Sequence, residues 1–217
     1  MKKEFEKRIL SSLIIVPISF FFIIKGSVFF SFFLSIFFLA TCYEWVKMNK
    51  NDLLKFLGAI YLFIITYFAY LLRENFGLNI FIFIIIICIF TDIGGYVFGK
   101  TFKGPKLTKI SPNKTYAGMI GSFIFSIIVG SIYALYQNSF TIFELFILQK
   151  NDLIFMLIVL FISAISQAGD LIISYFKRLA KVKDTGKLLP GHGGLLDRVD
   201  GIIFAIPFTY LLFNFIS

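Results

Sequence analysis

The chain has 217 residues, a net charge of +9, 59% hydrophobic residues and a mean hydropathy of +0.90. A soluble domain is nearer about 45–50% apolar, so this composition excludes an ordinary soluble protein and points to a polytopic membrane protein. Lysines flanking apolar segments account for the positive balance, which therefore does not point to nucleic acid.

Apolar runs occupy 9–24, 27–43, 53–72, 78–98, 116–136, 153–176 and 202–216. Residues 80–90 are apolar at every position, whereas a membrane barrel strand alternates polar and apolar over about 10 residues. The pattern predicts an all-α transmembrane helix bundle of about seven spans. It reads as one integral membrane domain, 1–217, with N-terminal helices over 1–80 and further helices and polar loops over 81–217. A basic stretch before 9–24 mimics a secretory signal. Lys25 and Gly26 interrupt the apolar stretch, however, and further apolar runs follow, so the first two runs read as a retained helical hairpin. Cys42 and Cys88 fall in or beside apolar runs and read as small apolar filler.

With a cytoplasmic N-terminus and seven alternating spans, Lys25, Arg73 and Lys150 alone face the other side. Every remaining lysine and arginine is then cytoplasmic, as the positive-inside bias requires. Both long polar stretches, 99–115 and 177–200, come out on the side where nucleotides are.

The second of these continues from an unusual helix. Asp170 sits in an apolar run, where a carboxylate costs about 2.5–3.5 kcal/mol to insert and therefore has a partner and a task. Ser174, Lys177 and Arg178 follow at i+4, i+7 and i+8, on the same helical face. The loop then brings Lys183, Asp184, Gly186, Pro190, Gly191, His192, Gly193 and Gly194. Clustered glycines let backbone N–H groups approach a phosphate closely. Asp197 and Asp200 close the stretch. Carboxylates beside cations and a glycine-rich turn point to Mg²⁺ and a polyphosphate. Each part also has a plainer reading. Asp197 and Asp200 could cap the last helix, the lysines could anchor on anionic lipid, and His192 could be a turn residue. Asp170 could pair with Lys177 or with another helix. All the plainer readings have to hold at once to displace the functional one.

Taken together, Ser174, Lys177, Arg178, Lys183, Asp184, the Pro190 to Gly194 turn, Asp197, Arg198 and Asp200 form a recognisable series. With Gln167, Gly169 and Asp170 upstream, it resembles the signature of the phosphatidate cytidylyltransferase (CDP-diacylglycerol synthase) family. Asp92, Tyr96, Gly99, Lys100, Ser111, Pro112, Lys114, Thr115 and Gly118 resemble the family's second block, and Glu44-Trp45 is also similar. Gly95 stands where Ala is usual and Ala117 where Glu is expected. The resemblance covers 90–201 well, and the first 80 residues mainly in hydropathy.

The resemblance implies that CTP and phosphatidate, a lipid of the bilayer, give CDP-diacylglycerol and pyrophosphate with Mg²⁺. A second cation and a homodimer are compatible with it. It implies that Asp170, Lys177, Arg178, Lys183, Asp184, Asp197, Arg198 and Asp200 carry catalysis. Ser111, Lys114, Thr115, Ser174, Gly191, His192, Gly193 and Gly194 would bind substrate, and Asp170, Asp197, Asp200 and Asp92 would hold metal. It also implies a multi-pass protein of a bacterial-type inner membrane with a cytoplasmic site. Two other readings stay open: another CTP-using lipid enzyme, and a small transporter that uses Asp92 and Asp170. A CDP-alcohol phosphotransferase is excluded, because Asp200-Gly201 lacks the further aspartates of that motif.

Overall fold

Lipid offers the backbone no hydrogen-bond partners, so an apolar run must satisfy its own polar groups as helix. The computed structural model describes residues 2–108, 110–136, 152–191 and 193–216. Its helices are α1 (Lys2–Lys25), α2 (Ser27–Met48), α3 (Asp52–Phe102), α4 (Tyr116–Tyr136), α5 (Asp152–Leu179), the single turn α6 (Leu196–Val199) and α7 (Ile202–Ile216). Among the described residues there is no strand, only two isolated bridges in the polar loops, Lys106–Thr115 and Leu189–Gly193. Among the described residues four helices are long and apolar enough to cross a membrane: α2, α3, α4 and the Leu153–Leu179 part of α5. The apolar stretches Leu13–Lys25 and Ile202–Phe215 are shorter.

Gly26 (φ 66°) and Ser27 (φ 48°) turn the chain from α1 into α2. Arg73 Nε donates to Ile23 O at the end of α1 (3.0 Å), and Phe22 stacks on Phe33 across the turn. The runs 53–72 and 78–98, expected as separate helices, lie in one 51-residue element that breaks at Gly77 (φ 84°, ψ 171°). That conformation is open essentially only to glycine, so one residue does the work of a loop. Asn75 Nδ2 donates to the Tyr210 hydroxyl (3.1 Å), and the Tyr133 hydroxyl donates to Asn79 O (3.0 Å), on either side of the break.

Phe30, Leu72, Phe83, Ile84, Ile87, Val159, Ile162 and Ala205 make a fully buried core drawn from α2, α3, α5 and α7. Val28, Phe32, Leu39, Phe56, Phe63 and Ile132 point outward and are exposed. So broad an apolar surface has lipid as its natural solvent, and the chain is a membrane protein.

The site is positioned by the contact of α3 with α4. Gly94, Gly95 and Gly99 face Gly118, Gly121 and Ser122, and small residues let the two backbones touch. A Cβ on Gly94 would lie 2.6 Å from Gly121 O, and one on Gly118 would lie 2.8 Å from Gly95 O. The glycine at 95, where alanine was expected, has a local reason: its Cβ would sit 2.7 Å from Ser122 Oγ. That hydroxyl is committed to Thr91 O (2.7 Å), while Thr91 Oγ1 donates to Ser163 Oγ (2.9 Å) and links α3 to α5.

Gly118→Leu overpacks this seam and costs about 1–3 kcal/mol. Thermal unfolding in detergent is expected at a lower midpoint for this variant, while Ile132→Leu, on the lipid face, stays at the wild-type value.

Candidate active site

The first polar loop leaves α3 through Lys103 (φ 52°) and Gly104 (φ 98°). Leu107 N donates to Lys114 O (2.8 Å), Lys114 N to Ser111 O (3.0 Å) and Tyr116 N to Pro105 O (3.2 Å). The Thr115 hydroxyl accepts from Gly118 N (3.1 Å) and caps α4. These bonds hold Lys114 one turn ahead of the helix. Its Nζ reaches Asp170 Oδ2 on α5 at 2.5 Å and lies 3.5 Å from Gln167 O. Arg178 Nε donates to Ile110 O (3.4 Å), a second tie between this loop and α5. Ser111 is half-buried, and its own N–H donates to Thr108 Oγ1 (3.2 Å).

From α5, Ser174 Oγ donates to Asp170 Oδ1 (3.3 Å), so the expected i, i+4 face forms. Asp170 and Asp200 are close enough for each carboxyl to act electrostatically on the other. Gly169 makes this possible, because a Cβ there would stand 2.8 Å from Asp200 O. Lys177 does not pair with Asp170 directly. Its Nζ donates to Asp197 Oδ1 (2.9 Å), while its charge still acts on Asp170 and Asp200. Asp197 Oδ2 accepts from Thr185 N (2.8 Å) and Gly194 N (3.1 Å). The glycine-rich turn closes through Leu189 N to Gly193 O (3.0 Å) and Gly193 N to Leu189 O (3.2 Å), with positive φ at Gly191 and Gly193.

Two adjoining groups result. Lys114, Asp170, Ser174, Lys177 and Asp200 gather in one, and Asp92 of α3 contributes its charge there, with Asp170 and Lys114 as its electrostatic neighbours. Asp197 organises the other, the glycine-rich loop. The side chains of Lys183, Asp184 and Arg198 are exposed beside it, as is Gly191. His192 lies outside the described residues. The role of Glu44 was not foreseen. It is 1% exposed, and it accepts from Leu195 N (2.9 Å), Leu196 N (2.8 Å) and Thr185 Oγ1 (3.3 Å). The signal was a carboxylate at the end of an apolar run, next to the chain's one tryptophan.

Among the described residues no three His, Cys, Asp or Glu side chains converge on one metal position. The carboxylates come instead as the Asp170–Asp200 pair, with Asp92 nearby. Such a donor set fits Mg²⁺, which takes one or two carboxylates and completes its octahedron with water and substrate phosphate. Burial, reinforced by the Asp170 charge, pushes the Asp200 carboxyl up to about 8.

Residues 51–216 match the sequence profile of the cytidylyltransferase family. The phosphatidate cytidylyltransferase of Bacillus subtilis is 35% identical over 164 residues, which cover 74% of this chain and 58% of that one. Those of Staphylococcus aureus and Staphylococcus epidermidis are 41% and 38% identical over 137 residues, 63% of this chain and 49% of theirs. The chain thus spans about half the length of the curated relatives it matches.

The Asp200 shift has a measurable consequence. A carboxyl whose folded pKa lies above its unfolded value binds more protons when folded, so stability falls as pH rises between the two. In chelator, the unfolding midpoint is expected to drop from about pH 5 to about pH 8, and Asp200→Asn is expected to flatten that slope.

Proposed function

The chain belongs to the cytidylyltransferase family, and we propose that it makes CDP-diacylglycerol and pyrophosphate from CTP and phosphatidate. One observation carries the reading. Lys114, from the stretch 92–118, and Asp170, from the stretch 166–201, are in contact, so both motif blocks contribute to a single cluster.

In this mechanism a phosphate oxygen of phosphatidate attacks the α-phosphorus of CTP, and the bond from that phosphorus to the β-bridging oxygen breaks. Pyrophosphate leaves with the electron pair. The attacking phosphate is already anionic near neutral pH, so no strong general base is needed. Catalysis then consists of positioning and charge neutralisation. Asp170 and Asp200, with Asp92 beside them, would hold Mg²⁺, which when bound draws phosphate oxygens together and offsets their charge. Lys114 neutralises a phosphate at the mouth of the cluster, and Lys177 offsets the carboxylates from the other side. Arg178, Lys183 and Arg198 meet the outer phosphates. The glycine-rich loop gives the triphosphate backbone room, and Asp197 holds that loop to Lys177.

The membrane arrangement supports the same reading. Counting the two arms of α3 separately gives about seven crossings. With a cytoplasmic N-terminus, the lysine-rich loops and the cluster lie at the cytoplasmic face of a bacterial-type inner membrane. A cytosolic nucleotide and a bilayer lipid meet there without either leaving its own phase.

Purified protein in detergent, given labelled CTP, phosphatidate and Mg²⁺, is expected to release pyrophosphate and form a labelled lipid. Asp170→Asn and Asp200→Asn should each lose at least about 100-fold in kcat. Release of CDP with a phosphorylated lipid would identify a kinase instead. Wild-type protein without lipid-dependent pyrophosphate release would remove the proposal.

A further inference from the structure

Glu44 lies in the last turn but one of α2, outside the residues that match the family profile. It is separated from its partners by 141 to 152 positions of sequence. A buried carboxylate is costly unless its oxygens are satisfied, and here backbone and hydroxyl donors satisfy them. Oε1 takes the N–H of Leu195, while Oε2 takes the N–H of Leu196 and the hydroxyl of Thr185.

The loop is shaped around this carboxylate. A Cβ on Gly186 would stand 2.5 Å from Glu44 Oε1, and one on Gly194 would stand 2.8 Å from Oε2. At Gly186 Glu44 fills the space a side chain would take, and at Gly194 it shares that space with the Thr185 hydroxyl, which lies closer still. The loop is shared between two acids. Asp197 holds the N–H groups of Thr185 and Gly194, and Glu44 holds the Thr185 hydroxyl and the next two N–H groups, those of Leu195 and Leu196.

Glu44 has its own anchorage, independent of the loop. The neighbouring Trp45 donates from Nε1 to Leu54 O (2.9 Å), and its ring packs edge-on against Phe176 of α5 at 5.1 Å. The helix fixes the carboxylate, and the carboxylate fixes the loop.

We propose that Glu44 is a positioning residue for nucleotide binding. It touches no substrate. It holds the Thr185 hydroxyl and the backbone of Leu195 and Leu196 in the shape that accepts the triphosphate, and keeps Asp197 against Lys177. The N-terminal hairpin is thereby part of the catalytic unit. This inference rests on the function proposed above, and its test separates the two.

The full chain would be compared with Glu44→Gln, Thr185→Val and Thr185→Ser. Glu44→Gln keeps the shape but presents an amide N–H to a backbone N–H. Steady-state rates would be recorded with CTP and phosphatidate varied in turn, alongside hydrogen exchange of peptides covering 185–196. The expected result for Glu44→Gln is a rise in KM for CTP of about tenfold, from one charge-assisted bond lost. KM for phosphatidate should stay within about twofold, because the lipid does not depend on this loop. Peptides over 185–196 should exchange faster. Thr185→Val should move the same way by a smaller amount, and Thr185→Ser, which keeps the hydroxyl, should return to wild type. Unchanged KM for CTP and unchanged exchange overturn the inference. So does an equal rise for both substrates, which is what general destabilisation produces. If Glu44→Gln does not accumulate, the Thr185 pair decides by the same criteria. Wild-type protein lacking cytidylyl transfer overturns the proposed function, while the exchange comparison still decides whether Glu44 holds the loop.

Discussion

The ion pair between Lys114 and Asp170 is the constraint on which the site depends. A carboxylate inside an apolar helix has to find a cation or stay costly, and the ammonium that meets it comes from a loop 56 positions earlier. Both side chains are about one-quarter exposed, so the pair is sheltered yet reachable from the polar side. A pair of this kind adds little net stability, but losing one partner strands a charge. It therefore specifies where α5 and the 103–115 loop meet more strongly than it holds them together. The glycine seam between α3 and α4 delivers Lys114 to that meeting, and Gly169 lets Asp200 come alongside.

Around the pair, negative side chains are concentrated without full compensation. Asp92, Asp170 and Asp200 share the neighbourhood of Lys114 and Lys177. Lys177 is already bonded to Asp197. On the proposed function, such a site would suit a divalent cation and, through it, a polyphosphate. The glycine-rich loop stands next to this cluster in a fixed form because carboxylates approach it from two helical directions, Asp197 from α6 and Glu44 from α2. The candidate site thus rests, among the described residues, on short loops clamped to long helices.

The helical class was legible because uninterrupted apolar runs leave the backbone no alternative in lipid. The break between 53–72 and 78–98 was also visible, as a polar stretch containing Gly77. What hydropathy could not supply was that a single residue, at a dihedral pair other side chains avoid, replaces a loop there. At the site, the Asp170–Ser174 contact followed from helical spacing alone. The partner of Asp170 did not, because Lys177 on the same face was as plausible from sequence as Lys114 from another loop. Asp197 was read as a metal ligand or a helix cap, and its bonds to the loop N–H groups and to Lys177 were not foreseen. Glu44 was noticed only as part of a likeness. Its function depends on a contact across 151 positions, which no local pattern encodes.

The central claim is that Lys114 and Asp170 act as one unit, and a double-mutant cycle on kcat/KM for CTP tests it most directly. Lys114→Met, Asp170→Asn and the double variant would be measured in the same detergent. Coupled residues give non-additive losses, so the double variant is predicted to fall within about threefold of the poorer single variant. Two losses that simply multiply would show that the residues act independently and would contradict the account.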